Sequence, residues 1–366
     1  MSYKPIYNPK KRVSLFAKIS VVIFLLSLSL LILSKRFVAI ADFLNSTVSL
    51  WVRRGMAALT DFIPFSLFEI LVILIPVWII LVIVLAVFAA KRGRRLRFVI
   101  NLLSIALLIY SHYTLTLGIA YGTTPVSLKM GLTDTEVTEE KLAAIMVELR
   151  DEANALSAEI SYTADGASSP DYAFREMSDK ICTSYAAFSD NYGFPKAFSS
   201  HAKPIYFGNV MSYFSLTGIY TFYTGEANVN SAYPMYDMAF TAAHELSHQR
   251  GVMRENEANF MAYVVNSTSS DPYLRYSAAL SMYEYIGSAL YKTNKELYSE
   301  IAAGLSDGPR RDILASYEVS KKYGDTFLSD ISDFLNDLFL KSNGTAGVIT
   351  YSQVVNLTVA YFEQMK

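Results

Sequence analysis

Three long apolar runs occupy most of the first 120 positions of the chain. They extend roughly from Leu15 to Ser34, from about Leu67 to Ala90 and from about Phe98 to Ala120. A helix needs about 20 mostly apolar residues to cross a bilayer, so each run predicts one span. The second run has one charge, Glu69, near its edge, and Pro76 inside it; proline is tolerated there when neighbours satisfy the freed backbone groups. Beyond residue 120 the spacing becomes that of a globular domain. From Thr138 to Ile160 the residues Leu142, Ile145, Met146, Leu149, Ala153 and Leu156 fall on one side of a helix, and Glu139 and Glu140 suit its positive N-terminal end. Thr163 to Pro170 reads as a loop, and Ala173 to Ser189 as a second helix. Lys203 to Val229 is rich in Tyr, Phe, Ile, Val and Thr, is punctuated by Gly208, Gly218 and Gly225, and predicts two or three short strands. Tyr233-Pro234 opens the next helix, which should stop at Gly251. Another helix starts near Glu255 and runs to about Val265. Breaks near Asp271-Pro272, Gly304 to Pro309, Tyr323-Gly324 and Ser342 to Gly347 separate several more. The pattern predicts a mostly helical domain with one small sheet.

Composition fits this division. Apolar residues make up 52% and charged residues 18% of the 366, against about 25% charge in an ordinary soluble domain. Residues 1–120 are therefore expected to form a membrane anchor, and residues 121–366 a domain large enough for its own core. A net charge of −1 gives no general attraction for nucleic acid, which leaves the lipid bilayer as the partner that composition implies. Lys35-Arg36 follows the first run where a signal peptide would carry small residues, so that run reads as an anchor. Basic residues set the orientation. Lys4, Lys10, Lys11, Arg12 and Lys18 precede or open the first span, and Lys91, Arg92, Arg94, Arg95 and Arg97 follow the second. The longer first loop holds only Lys35, Arg36, Arg53 and Arg54. The expectation is a multi-pass protein of the cell membrane with a cytoplasmic N-terminus and residues 121–366 outside. The first loop, with apolar clusters at Phe37–Leu44 and Val48–Trp51, is expected along the membrane surface. A lone cysteine, Cys182, excludes an intrachain disulfide and reads as a core residue.

Two of the four histidines stand in the run His244-Glu245-Leu246-Ser247-His248. On a helix, positions four apart share a face, where two imidazoles can bind one zinc ion. Glu245 projects about 100° round from His244, off the ligand axis, and is a candidate general base for a zinc-activated water. Phe240, Ala242, Ala243 and Leu246 make the helix apolar elsewhere, and a buried His-Glu-His cluster is costly without a partner such as a metal.

A third ligand is needed. The pair of H-E-x-x-H and Glu255-Asn256-Glu257-Ala258-Asn259 is similar to the gluzincin class of zinc peptidases. That resemblance implies an α+β zincin-like metallopeptidase domain after the three transmembrane helices, with a peptide or protein as substrate. It also implies Glu255 as third ligand and Asn259 as the residue that supports His244. The wider stretch, from Thr224-Gly225-Glu226-Ala227-Asn228 through the motif to Phe260, looks like a bacterial membrane-anchored family known only as a domain of unknown function. Many gluzincins carry a long insert between the second His and the Glu; here six residues separate them, which leaves Glu257 as an alternative ligand. The two glutamates point about 200° apart on a helix. Glu255 has Asn259 one turn on, whereas Glu257 has Met261, which cannot hold an imidazole; this favours Glu255.

Weaker signals surround the motif. Tyr213 to Val229 is a candidate edge on which a substrate strand could add. Tyr220, Tyr223 and His201 are candidates for oxyanion or substrate contact, Glu226 for a residue behind the ligands or in a turn, and His112 for an interfacial residue of the third span. The leading expectation is hydrolysis of peptide bonds outside the cytoplasm. The alternatives are a non-catalytic zinc-containing binding or scaffold protein, which would not need Glu245, and an intramembrane protease, disfavoured by the polar setting of the motif.

Overall fold

Ser14 accepts a hydrogen bond from the Ala17 N–H and so starts the first helix, α1 (Leu15–Arg36). The structure, a computed structural model, describes residues 13–366 apart from 193, 195–197, 199 and 325. The basic tail residues Lys4, Lys10, Lys11 and Arg12 lie outside the described residues. The chain then forms α2 (Val38–Ser46), α3 (Val48–Asp61), α4 (Leu67–Ile73), α5 (Ile75–Lys91) and α6 (Arg95–Thr116). Two of these, α1 and α6, are long and apolar enough to cross a membrane, and α4 with α5 makes a third if the bent pair is one span. The second apolar run is thus two helices, bent by 56°. Pro76 stands in the first turn of α5 and has no N–H for the Val72 carbonyl, so the ladder fails at Leu74.

The first loop forms two helices that leave Phe43, Trp51 and Leu59 exposed. Its helices α2 and α3 pack on the domain with their polar side inward: Asn45, Ser49, Arg53 and Thr60 are buried. Arg53 donates to the carbonyls of Thr116 and Asn45 and to Asn45 Oδ1. Burial pulls its pKa down to about 10, which still leaves it charged at neutral pH.

Beyond α6 come α7 (Val126–Lys129), α8 (Glu139–Ser157), a small hairpin of β1 (Ser161–Tyr162) and β2 (Ser168–Ser169) in place of the expected loop, and α9 (Phe174–Tyr192). All six apolar residues predicted on one side of α8 are buried, and Thr138 caps it by accepting from the Lys141 N–H. The sheet follows as β3 (Lys203–Ile205), the short α10 (Gly208–Ser212), β4 (Gly218–Thr221) and β5 (Glu226–Asn230), in the order β3-β5-β4. β5 is central, parallel to β3 and antiparallel to β4. The rest is helical: α11 (Met235–Gln249), α12 (Glu255–Ser267), α13 (Pro272–Thr293), α14 (Lys295–Ala303), α15 (Asp307–Tyr323), α16 (Phe327–Ser342) and α17 (Val354–Met365). α11, α12 and α13 pack on one another around a core that includes Leu246, Phe260, Tyr263, Tyr276 and Leu280.

Sheet and span are joined by a buried ion pair. Glu226 on β5 accepts from Lys203 Nζ at 2.7 Å and from the N–H groups of Leu67 and Phe68 at 3.0 Å each, so it holds the N-terminus of α4. Lys203 has almost no exposure, and removing one member strands the other charge. Lys203→Met is expected to cost about 3–5 kcal/mol, read as a lower unfolding midpoint in detergent; an unchanged midpoint would show that the pair carries no stability.

Candidate metal centre

The motif helix α11 starts after Pro234 and is buried along nearly its whole length. It ends in a turn that shapes the site. Gly251 adopts φ +93°, a conformation that side chains disfavour. Its N–H bonds the His248 carbonyl, and the Val252 N–H bonds that of Ser247. This reversal brings the Val252 carbonyl to 2.8 Å from His248 Nδ1. The next helix begins at once, with Glu255 in its first turn. One turn later, Asn259 Oδ1 lies 2.7 Å from His244 Nδ1.

Both Nδ1 atoms therefore face acceptors and carry the ring protons, leaving both Nε2 atoms with lone pairs. Those Nε2 atoms are 3.0 Å apart, and Glu255 Oε2 is 3.2 Å from the first and 3.4 Å from the second. Three electron-pair donors thus converge in a buried place. Ligands about 2.0–2.1 Å from a tetrahedral ion sit about 3.4 Å apart, so the residues fit a metal, and the cluster can hold one. With no cation, burial lowers the His248 pKa, but the charge and hydrogen bond of Glu255 outweigh it and carry it up to about 9. Burial likewise works against the Glu255 carboxylate, yet the two imidazoles hold it well below its ordinary range. Carboxylate and imidazole alike favour positive charge at the point where they meet, whether a proton or a cation.

Glu245 lies beside this cluster and outside it. Burial raises its pKa, against the pull of the two histidines and of a hydrogen bond from the Tyr220 backbone N–H. Its Oε2 is buried without a partner. β4 comes close here because Gly218 has no side chain: a Cβ would stand 2.5 Å from Glu245 Oε1 and from Thr241 Cγ2. The sequence predicts only a turn at Gly218.

Glu257 faces elsewhere. It accepts from Arg254 at 3.0 and 3.2 Å and from the Val126 N–H, and it is buried rather than in solvent. Asn259→Ala is expected to lower metal affinity by about 10- to 100-fold, as loss of an orienting partner does. Glu257→Ala should keep metal content near normal while losing stability through the stranded Arg254; equilibrium metal binding and melting separate the two.

The remaining candidates are not brought to the cluster. His201 is held between Asp61 and Asp179, at 2.8 Å on each ring nitrogen. The Tyr220 hydroxyl is buried without a partner and interacts with Arg53. Tyr223 is exposed against Phe68 and Phe222. His112 Nε2 bonds the Phe222 carbonyl at 2.8 Å, which ties α6 to the β4–β5 turn. Two tyrosines that the sequence did not distinguish stand closer. Tyr121 and Tyr285 both feel the charge of Glu255, and burial raises both phenols, so both stay protonated. Among so many scattered tyrosines no sequence signal marked these two.

The cluster also rests on the N-terminal helices. Asn45 Nδ2 donates to the Gly251 carbonyl, and Asn45 is held by Arg53, which reaches Thr116 at the end of α6. Arg254, next to Glu255, donates to the carbonyls of Tyr121 and Thr123.

No curated protein and no solved structure matches the chain. A family model does, over residues 44–359, which takes in α3 to α6 and nearly all of the domain beyond them. The chain therefore belongs to the family described as protein of unknown function DUF3810.

Proposed function

We propose that the protein is a membrane-anchored zinc peptidase of gluzincin type, with His244, His248 and Glu255 as ligands and Glu245 as general base. The observation that carries this reading is the convergence of three ligand atoms at 3.0–3.4 Å beside a buried carboxylate oxygen with no partner. A zinc ion held there would acidify a water and polarise the scissile carbonyl. Glu245 takes the proton of the attacking water and passes it to the leaving amine. Tyr285 and Tyr121 are the hydroxyl donors available to a developing oxyanion. The substrate adds along β4, an edge strand of its sheet. Thr217 pairs inward with Asn230, so the backbone groups of Gly218 and Tyr220 point away from β5, on the side where the Tyr220 N–H meets Glu245. The direct test compares peptides shed from the cell envelope with the native chain and with Glu245→Gln in its place: cleavage products present only with the native chain support the reading, and identical peptide sets sink it.

The domain works outside the cytoplasm in this proposal, since the basic residues favour an inside N-terminus and three spans reverse the side. A tag after Lys366 is expected to be accessible on intact cells. Labelling only after permeabilisation would place the domain inside.

A further inference from the structure

We propose that α16 and the β3–β4 loop lie in the lipid interface at the domain side of the membrane, and that the groove between this loop and α4 takes a phospholipid acyl chain. α16 is built inside out. Phe327, Ile331, Phe334, Leu335 and Leu338 fall within an arc of about 100°, and Phe327 and Phe334 are 77% and 67% exposed. Its buried residues, Ser329 and Leu340, lie on the opposite side, so the apolar stripe points away from the body of the protein. In water such a helix would turn that stripe inward.

Its two ends say what covers the stripe. At the C-terminal end Asn343 Oδ1 accepts from the Tyr113 hydroxyl of α6 at 2.6 Å, and the Ser342 carbonyl accepts from Lys35 in the last turn of α1. Both are the domain-side ends of helices able to cross a membrane. At the N-terminal end Thr326 donates to the Tyr213 carbonyl in the β3–β4 loop. That loop has no charged residue from Pro204 to Thr217, and Tyr206 is 84% exposed. It packs along α4 as far as Val72 and Ile73, at the break into α5, which has no buried residue. Between them lies an apolar groove of about 210 Å³, lined by Phe207, Val210, Met211 and Phe214 on the loop side. Its one charged residue, Glu69, is occupied by the N–H groups of Tyr206 and Phe207. Helix and loop thus continue the apolar surface of the spans at the level of their ends, where tyrosines and amphipathic helices gather.

The test uses the full chain in phosphatidylcholine nanodiscs with brominated acyl chains. Trp51 is replaced by phenylalanine, and either Trp78 of α5 is kept as a reference or it too is replaced and a single tryptophan set at Phe334 or Phe207. The expected result is a loss of emission comparable with that of Trp78, together with protection from iodide. Quenching by iodide and not by bromolipid would overturn the proposal. So would insensitivity to both, which marks a protein contact such as a second copy. Leu338→Trp on the same stripe serves if Phe334→Trp does not fold.

Discussion

Glu245→Gln is expected to reduce peptide hydrolysis by roughly 10²- to 10⁴-fold, the usual contribution of a general base, while zinc content stays at one per chain. The substitution keeps the shape of the side chain and an oxygen for the Tyr220 N–H. It removes the charge that burial disfavours, so the variant should melt no lower than the native protein. That combination separates the proposed base from a structural residue: a structural carboxylate would cost stability, and a ligand would cost metal. The loss should appear in kcat more than in KM, because the proton transfer occurs only on the way to the transition state. Full activity on a verified substrate would remove Glu245 from the mechanism.

Loss of a ligand should have the largest effect on the metal itself. His244→Ala, His248→Ala or Glu255→Ala leaves two donors where a tight site needs three from the protein. Zinc should then be lost on dialysis, and activity with it. Chelation of the native protein should also lower the melting temperature. An ion that binds only the folded chain contributes about 2.7 kcal/mol at a hundred times its dissociation constant. Its removal leaves two imidazoles and a carboxylate facing one another in a buried place. The melting loss should reverse on adding zinc back and be absent in Glu255→Ala. Retention of one tightly bound zinc by Glu255→Ala would dismiss Glu255 as ligand.

Much of the site could be read from the chain. His244, Glu245 and His248 share one helix, whose geometry fixes their relation whatever surrounds it. The same holds for Glu255 and Asn259, and the spacing that favoured Glu255 over Glu257 agrees with where the two side chains lie. The six apolar positions of α8 followed from periodicity alone, and the end of α11 from the need for glycine at φ +93°. The oxyanion candidates fared differently. Tyr220, Tyr223 and His201 are candidates by residue type, which does not say which way a side chain points. Tyr285 feels the charge of Glu255 from α13, across a helix–helix contact.

Sequence by itself determined what depends on neighbours a few residues apart: the apolar runs, the helix faces, the motif and the turn that ends it. Only the tertiary structure decided what depends on contacts distant in the chain. Asn45 meets Gly251 across 206 positions, which makes the first loop part of the scaffold around the His244, His248 and Glu255 cluster. The pairing order of three short strands put β4 at an edge, and the close pass of Gly218 brought that edge to Glu245. The break at Leu74 lies between. Pro76 inside the run does not by itself predict it, because whether a helix bends at a proline depends on what its neighbours offer the freed carbonyl. A periodic pattern reports which side of a helix is apolar; what that side meets, core or lipid, is set by where the rest of the chain has put it.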